Sequence, residues 1–157
     1  MTDVGEALRI YEEEDVIKTY NVRNEVEASH IASMLRWKYN QVSAVFTSIG
    51  PGGMQATAGS LVPLANGLGI YYLMGDETSQ SEGPNMQQIP RREQELFLKV
   101  LSTLGPAYSL HTPSFIPQSF FKRSVTPPVQ GITFFEIASS SPFSSNDVGN
   151  EETLQLC

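Results

Sequence analysis

The chain has 157 residues, 40% of them hydrophobic and 17% charged, which suits one ordinary domain with a real core and is short for most two-domain enzymes. Its formal charge of -7 argues against unspecific binding to nucleic acid or to an anionic membrane. No apolar run reaches the ~20 residues that span a bilayer, the acidic start MTDVGEALRIYEEED lacks a signal-peptide layout, and the single cysteine, Cys157, builds neither a disulfide nor a cysteine zinc site within one chain, so a cytoplasmic protein is expected.

In chain order, Val4, Leu8 and Tyr11 recur at helical spacing, and the acidic run Glu12 to Asp15 then breaks the pattern. VIKTYNV reads as a short strand. Asn24 is placed as an N-cap, with Glu25 and Glu27 in the first turn of a helix from about Glu25 to Trp37 whose apolar face is Ala28, Ile31, Ala32 and Leu35. QVSAVFTSI reads as a buried parallel strand, and GPGG leads into the helical stretch MQATAGSLVPLANG, which Pro63 should kink or end.

LGIYYLMG is a second buried strand, DETSQSEGPNMQQIP a polar loop, and RREQELFLKVLSTLG a helix with Leu96, Phe97, Val100, Leu101 and Leu104 on its apolar face. AYSLH reads as a strand, FIPQSFFKRSV as a helix broken early by Pro117, and GITFFEI as a last strand. Alternating elements of this length predict an α/β fold, a mainly parallel sheet with helices on both faces in a Rossmann-like three-layer arrangement. Residues 138–157 are polar, with almost no apolar periodicity, and read as a disordered tail.

In open α/β sheets ligands collect at the carboxyl ends of the strands, which gathers Asn24-Glu25, Ser48 to Gly53 and Gly75 to Gln88 on one rim. The run SIGPGG has the G-x-G spacing of a dinucleotide fingerprint at Gly50 and Gly52, but Gln55 stands at its third glycine. Pro51 removes a backbone donor and no Lys-Ser or Lys-Thr follows, so a phosphate-cradling P-loop is excluded. Glu25 alone is accounted for as a first-turn carboxylate favoured by the helix macrodipole, worth ~0.3–1 kcal/mol. His30 and His111 are expected in packing or hydrogen-bonding roles.

Taken together, V-R-N-E-x-x-A-S-H-I-A, a buried strand, S-I-G-P-G-G and then G-I-Y-Y-L-M-G-D resemble the pyrimidine-binding domain of thiamine diphosphate-dependent enzymes. The nearest likeness is to the acetolactate synthase branch and its trihydroxycyclohexanedione hydrolase-like proteins. That family shows a His-Glu pair opening a helix with A-x-x-x-A spacing, followed by a G-P-G turn. Here Asn24 replaces the His, while Glu25, Ala28, Ala32 and Gly50-Pro51-Gly52 match. The likeness runs from roughly Asp3 to Ile137, so residues 1–137 are read as a pyrimidine-binding domain lacking its opening strand and glycine-proline loop. The chain looks clipped at both ends.

The resemblance implies that Glu25 is catalytic. Its carboxyl group would hydrogen-bond the pyrimidine nitrogen N1′ and favour the imino form that deprotonates the thiazolium carbon. It sets Gly50, Pro51 and Gly52 alongside the aminopyrimidine and Gln87 near the substrate. Thiamine diphosphate would be held through Mg2+ by a separate diphosphate-binding domain or second subunit. The G-D-G motif of that domain is missing here, since Gly75-Asp76-Glu77 has Glu where the motif has Gly. The implied activity is carbon-carbon bond formation or cleavage on a 2-oxo acid or cyclic diketone, in a homo-oligomer, with no activity from this chain alone. The alternative is a non-catalytic remnant or scaffold used for oligomerisation, with Ala28, Ala32, Ala56 and Gly59 in close helix packing between subunits.

Overall fold

The computed structural model describes residues 2–48, 50–76, 96–110 and 133–138. The elements in chain order are α1 (Thr2–Glu13), α2 (Glu25–Tyr39), β1 (Ala44–Thr47), α3 (Pro51–Ala65), β2 (Tyr71–Asp76), α4 (Leu96–Ser102), β3 (Ala107–Leu110) and β4 (Thr133–Ala138). The strands form one parallel sheet in the order β1-β2-β4-β3. The fold is therefore a parallel α/β fold, as the alternation of elements predicts.

Two clusters place the core on both faces of the sheet. Val45, Ile70, Tyr72, Met74 and Phe134 face the helices, where Ala32 of α2, Ala56 of α3 and Leu101 of α4 meet them. Tyr71, Phe135 and Leu110 form the opposite cluster, with Leu73 and Tyr108 packed against it. This two-sided burial is why YYLM and TFF are unbroken apolar runs and not alternating ones. Aromatic pairs join β2 to β4 on each face, Tyr72 with Phe134 at 5.2 Å between centroids and Tyr71 with Phe135 at 6.1 Å. Among the described residues the helices that pack on the sheet all lie on the Tyr72 face. That arrangement is self-consistent, because β1 to β2 and β2 to β3 both step in one direction and right-handed crossovers then share a face.

Several expectations need correction. Residues 17–22 enter no ladder, because a strand-like sequence becomes a strand only against a partner. Pro63 does not end α3, which runs on two residues to Ala65. The proline lies within the last turn, where the one bond it forfeits is to the Gly59 carbonyl, and its ring is fully buried. On α4, Val100 is exposed while Leu101 is fully buried.

The inward face of α2 is also rotated from the predicted one. Ser29, Ala32 and Ser33 are buried, and Ile31 is exposed. Size decides this and not polarity. A Cβ added at Gly59 of α3 would lie 2.5 Å from the Ser29 Cβ, so the helices cross too closely for a branched side chain. Ser29 Oγ lies 3.0 Å from the Ala56 carbonyl of α3 and 3.2 Å from that of Glu25, and its one hydroxyl proton is shared between them. Ser33 Oγ donates to Ser29 O at 2.7 Å, and Ser43 Oγ donates to Ala32 O at 2.9 Å. Hydroxyls satisfied by nearby carbonyls are thus what lets a polar stripe face inward.

Ala138, placed in the polar tail by sequence, is the last residue of β4. The predicted loop at 77–90, the Pro117 helix, His111 and residues 139–157 lie outside the described residues. No helix among the described residues is long and apolar enough to cross a membrane.

Candidate functional site

Glu25 owes its position to the start of α2. Asn24 has the extended backbone of an N-cap (φ -152, ψ 163), and its Oδ1 accepts the Glu27 N–H at 2.9 Å. The side chain that stands where the resembling family has His is therefore committed to the cap. Residues 25, 29, 32, 33 and 36 share one side of a helix, so the buried Ser29–Ala32–Ser33 stripe continues one turn back to Glu25. The carboxylate is consequently turned toward α3 at the open end of the helix pair, where it is half-buried.

The facing wall is the turn from β1 into α3. Gly50 has φ +67, a left-handed value that favours glycine, and Pro51 occupies the first turn of α3, where its missing N–H costs no helix bond. Gly52 leaves little room beside it. A Cβ there would lie 3.1 Å from Glu25 Oε1 and 2.9 Å from Ser48 Oγ. Glu25, Ser48 and Gly52 therefore converge, with Gly50 and Pro51 in the same turn. A Cβ at the next residue, Gly53, would lie 3.2 Å from Met74 Sδ, which sets the start of α3 beside the carboxyl end of β2. The convergence thus sits on the rim where α/β sheets bind ligands.

Among the described residues no hydrogen bond or ion pair engages the Glu25 carboxylate, and Arg23 does not pair with it. The ion pairs present lie on α1, where Arg9 bridges Glu6 and Glu13 and holds the Glu6 carboxyl below its usual range. An unengaged carboxylate between two helix N-termini sits where both macrodipoles favour negative charge, and it is available to a hydrogen-bonding ligand.

Ser48 and Thr47 had been given no individual role by sequence reasoning. Ser48 Oγ shares the space over Gly52 with Glu25, and the signal was its position as the first polar residue after an apolar strand. Thr47 ends β1 on the helix-facing side, and its buried Oγ1 has no partner. Deeper in the same layer the Tyr72 hydroxyl is fully buried near Ser29, outside bonding geometry, and burial pushes it up to about 12.

Gln87 lies outside the described residues, so the turn and Glu25 stand without it. His30 is exposed on α2, not packed, because the inward stripe belongs to the small residues. No group of three or more His, Cys, Asp or Glu side chains among the described residues is arranged to hold a metal ion. Compared with known proteins, the chain matches no family model, and no curated protein matches it.

Proposed function

We propose that this chain is the pyrimidine-binding part of a thiamine diphosphate-dependent enzyme, with Glu25 as the partner of the aminopyrimidine ring. The observation that carries the reading is the closeness of Glu25 to the glycine turn, where a Cβ at Gly52 would lie 3.1 Å from Glu25 Oε1. A flat ring needs the space that a Cβ at Gly52 would fill, and a ring nitrogen needs a carboxyl group with no competing partner. Gly52 puts no side chain beside Glu25, and no described residue competes for the carboxylate.

In this reading Glu25 shares a proton with ring nitrogen N1′, and α2 holds it in place through the Asn24 cap. The backbone of Gly50, Pro51 and Gly52 forms the wall against which the ring is oriented. Cover from a second domain or subunit removes the remaining water around the half-buried carboxylate, which strengthens its hydrogen bond to the ring. When bound, thiamine diphosphate supplies a nucleophilic thiazolium carbon for making or breaking a carbon-carbon bond next to a carbonyl. The diphosphate and its Mg2+ are assigned to a separate diphosphate-binding domain. A 2-oxo acid or cyclic diketone is the substrate class in keeping with the resemblance.

The test combines the full chain with a diphosphate-binding domain of this enzyme class, magnesium and thiamine diphosphate, and measures deuterium exchange at the thiazolium carbon. Faster exchange than with the partner domain and cofactor alone, lost in Glu25→Gln, is expected. No acceleration, or an equal one in Glu25→Gln, overturns the reading.

The scaffold reading is favoured by a different observation, the exposed Ile31, Met34 and Trp37 on α2. The small residues Ala32, Ala56 and Gly59 no longer speak for it, because they are buried between α2 and α3 of the same chain.

A further inference from the structure

Independently of any cofactor, we propose that Asn66 and Gly67 form a self-modification site, where the chain converts the Asn66 amide to an aspartyl or isoaspartyl residue with loss of ammonia. Asn66 is the one asparagine of the chain that precedes a glycine. Both residues are exposed, just past the end of α3. A Cβ built at Gly67 would meet nothing within 4 Å, so the space beside this residue is open. At Asn24 and Asn40 the residues that follow, Glu25 and Gln41, carry side chains that crowd the same approach.

The reaction needs water and no other co-reactant. A base takes the Gly67 amide proton, and the electron pair left on nitrogen attacks Cγ of Asn66. The Cγ–Nδ2 bond breaks, Nδ2 leaves as ammonia with a proton from water, and a cyclic succinimide remains. Water then opens the ring. Cleavage at Cγ gives aspartate, and cleavage at the backbone carbonyl carbon leaves Gly67 attached through Cγ, as isoaspartate.

The folded turn slows this chemistry without preventing it. Asn66 has ψ 5, which sets the Gly67 nitrogen beside the residue's own nitrogen and away from its Cβ. Asn66 Nδ2 donates to Val62 O at 2.8 Å, while the N–H groups of Gly67 and Leu68 donate to Leu64 O and Pro63 O. The turn must therefore open before Cγ is reached. These bonds lie at an exposed helix end, and such ends open locally without global unfolding. Gly67, at φ +62, has the conformational freedom to rearrange once they do.

Either product puts a carboxylate beside the last carbonyls of α3, where the macrodipole opposes it, and no basic residue stands in that turn to offset it. The isoaspartyl form also lengthens the main chain by a methylene inside the cap, so the bonds from Gly67 and Leu68 lose their geometry. Leu68 to Ile70 lead directly into β2, and Ile70 is fully buried, so the disturbance reaches the core. Stability therefore falls as the chain ages.

Ageing the folded full chain at mildly alkaline pH tests this, with peptide mapping by mass spectrometry that separates aspartyl from isoaspartyl products. Asn66 is expected to convert to both while Asn24 and Asn40 keep their amides. The rate should rise with pH, because the nucleophile is the deprotonated nitrogen, and the aged chain should show a lower urea midpoint than the fresh one. Asn66→Gln, which keeps an amide but must close a larger ring, should hold its midpoint through the same ageing. An intact Asn66 in the folded chain, with conversion only in urea, overturns the proposal, because the cap is then a lock. Equal conversion at Asn24 or Asn40 also overturns it, as does an unchanged midpoint after Asn66 has converted or an equal loss of midpoint in aged Asn66→Gln.

Discussion

Ser29 lies over Gly59 so closely that a Cβ at position 59 would come within 2.5 Å of the serine Cβ and 3.1 Å of the Val26 carbonyl oxygen. Gly59→Ala brings about 1 kcal/mol of helix propensity, but overpacking at a tight crossing costs about 1–3 kcal/mol. Net destabilisation is expected, read as a lower urea midpoint with an unchanged slope. Adding Ser29→Gly recovers part of the loss, and a double mutant no better than Gly59→Ala alone refutes this account of the crossing.

Gly52→Ala separates binding from stability. The atoms its Cβ meets, Ser48 Oγ and Glu25 Oε1, are ends of side chains that can swing away, so the unfolding midpoint should move by no more than about 0.5–1 kcal/mol. Thiamine diphosphate binding in the presence of the partner domain should nevertheless fall as it does for Glu25→Gln. Titration calorimetry gives the comparison, and retained affinity in Gly52→Ala means the ring does not use this space.

Tyr72 gives a prediction in pH. Burial raises its hydroxyl from 10.0 to about 12, so the folded chain holds this proton more tightly than the unfolded chain. That contribution to stability is whole below pH 10.0 and is lost as pH rises toward about 12. Tyr72→Phe should flatten the alkaline part of the stability profile. At neutral pH it should be neutral or stabilising by about 1 kcal/mol, since it removes a buried hydroxyl without a partner. A clear loss of stability would instead place a hydrogen bond at that oxygen.

Asn24→Ala removes the side-chain acceptor of the Glu27 N–H and should cost about 1 kcal/mol in thermal or denaturant unfolding. Asn24→Asp should keep the cap. Asn24→His, which installs the residue found in the resembling family, should behave as Asn24→Ala does in stability, because His is a poor cap.

Much of this fold is legible in the sequence where physics is local. Asn24 reads as a cap because its side chain can serve the third residue of α2, and YYLM and TFF read as buried strands because both faces of a parallel sheet exclude water. What is not legible depends on neighbours. Ile31 outranks Ser29 on any hydropathy scale, yet Ser29 is inside because Gly59 opposite leaves room for nothing larger. Likewise, Ile17 to Val22 has the composition of a strand, and only the sheet decides whether it has a partner. The candidate site is intermediate. Glu25 and the G-P-G turn can be picked out by type and spacing, but that Ser48 Oγ shares the space over Gly52 follows only from the turn geometry.

The Ser29–Ala56 hydrogen bond makes α2 a ruler. Apolar side chains packed against a helix allow it to slide by fractions of a turn at small cost, whereas a hydroxyl bonded to one particular carbonyl marks a single register. Because that mark lies one turn from Glu25, the spacing between the carboxylate and the glycine turn is set inside the domain, before any partner arrives.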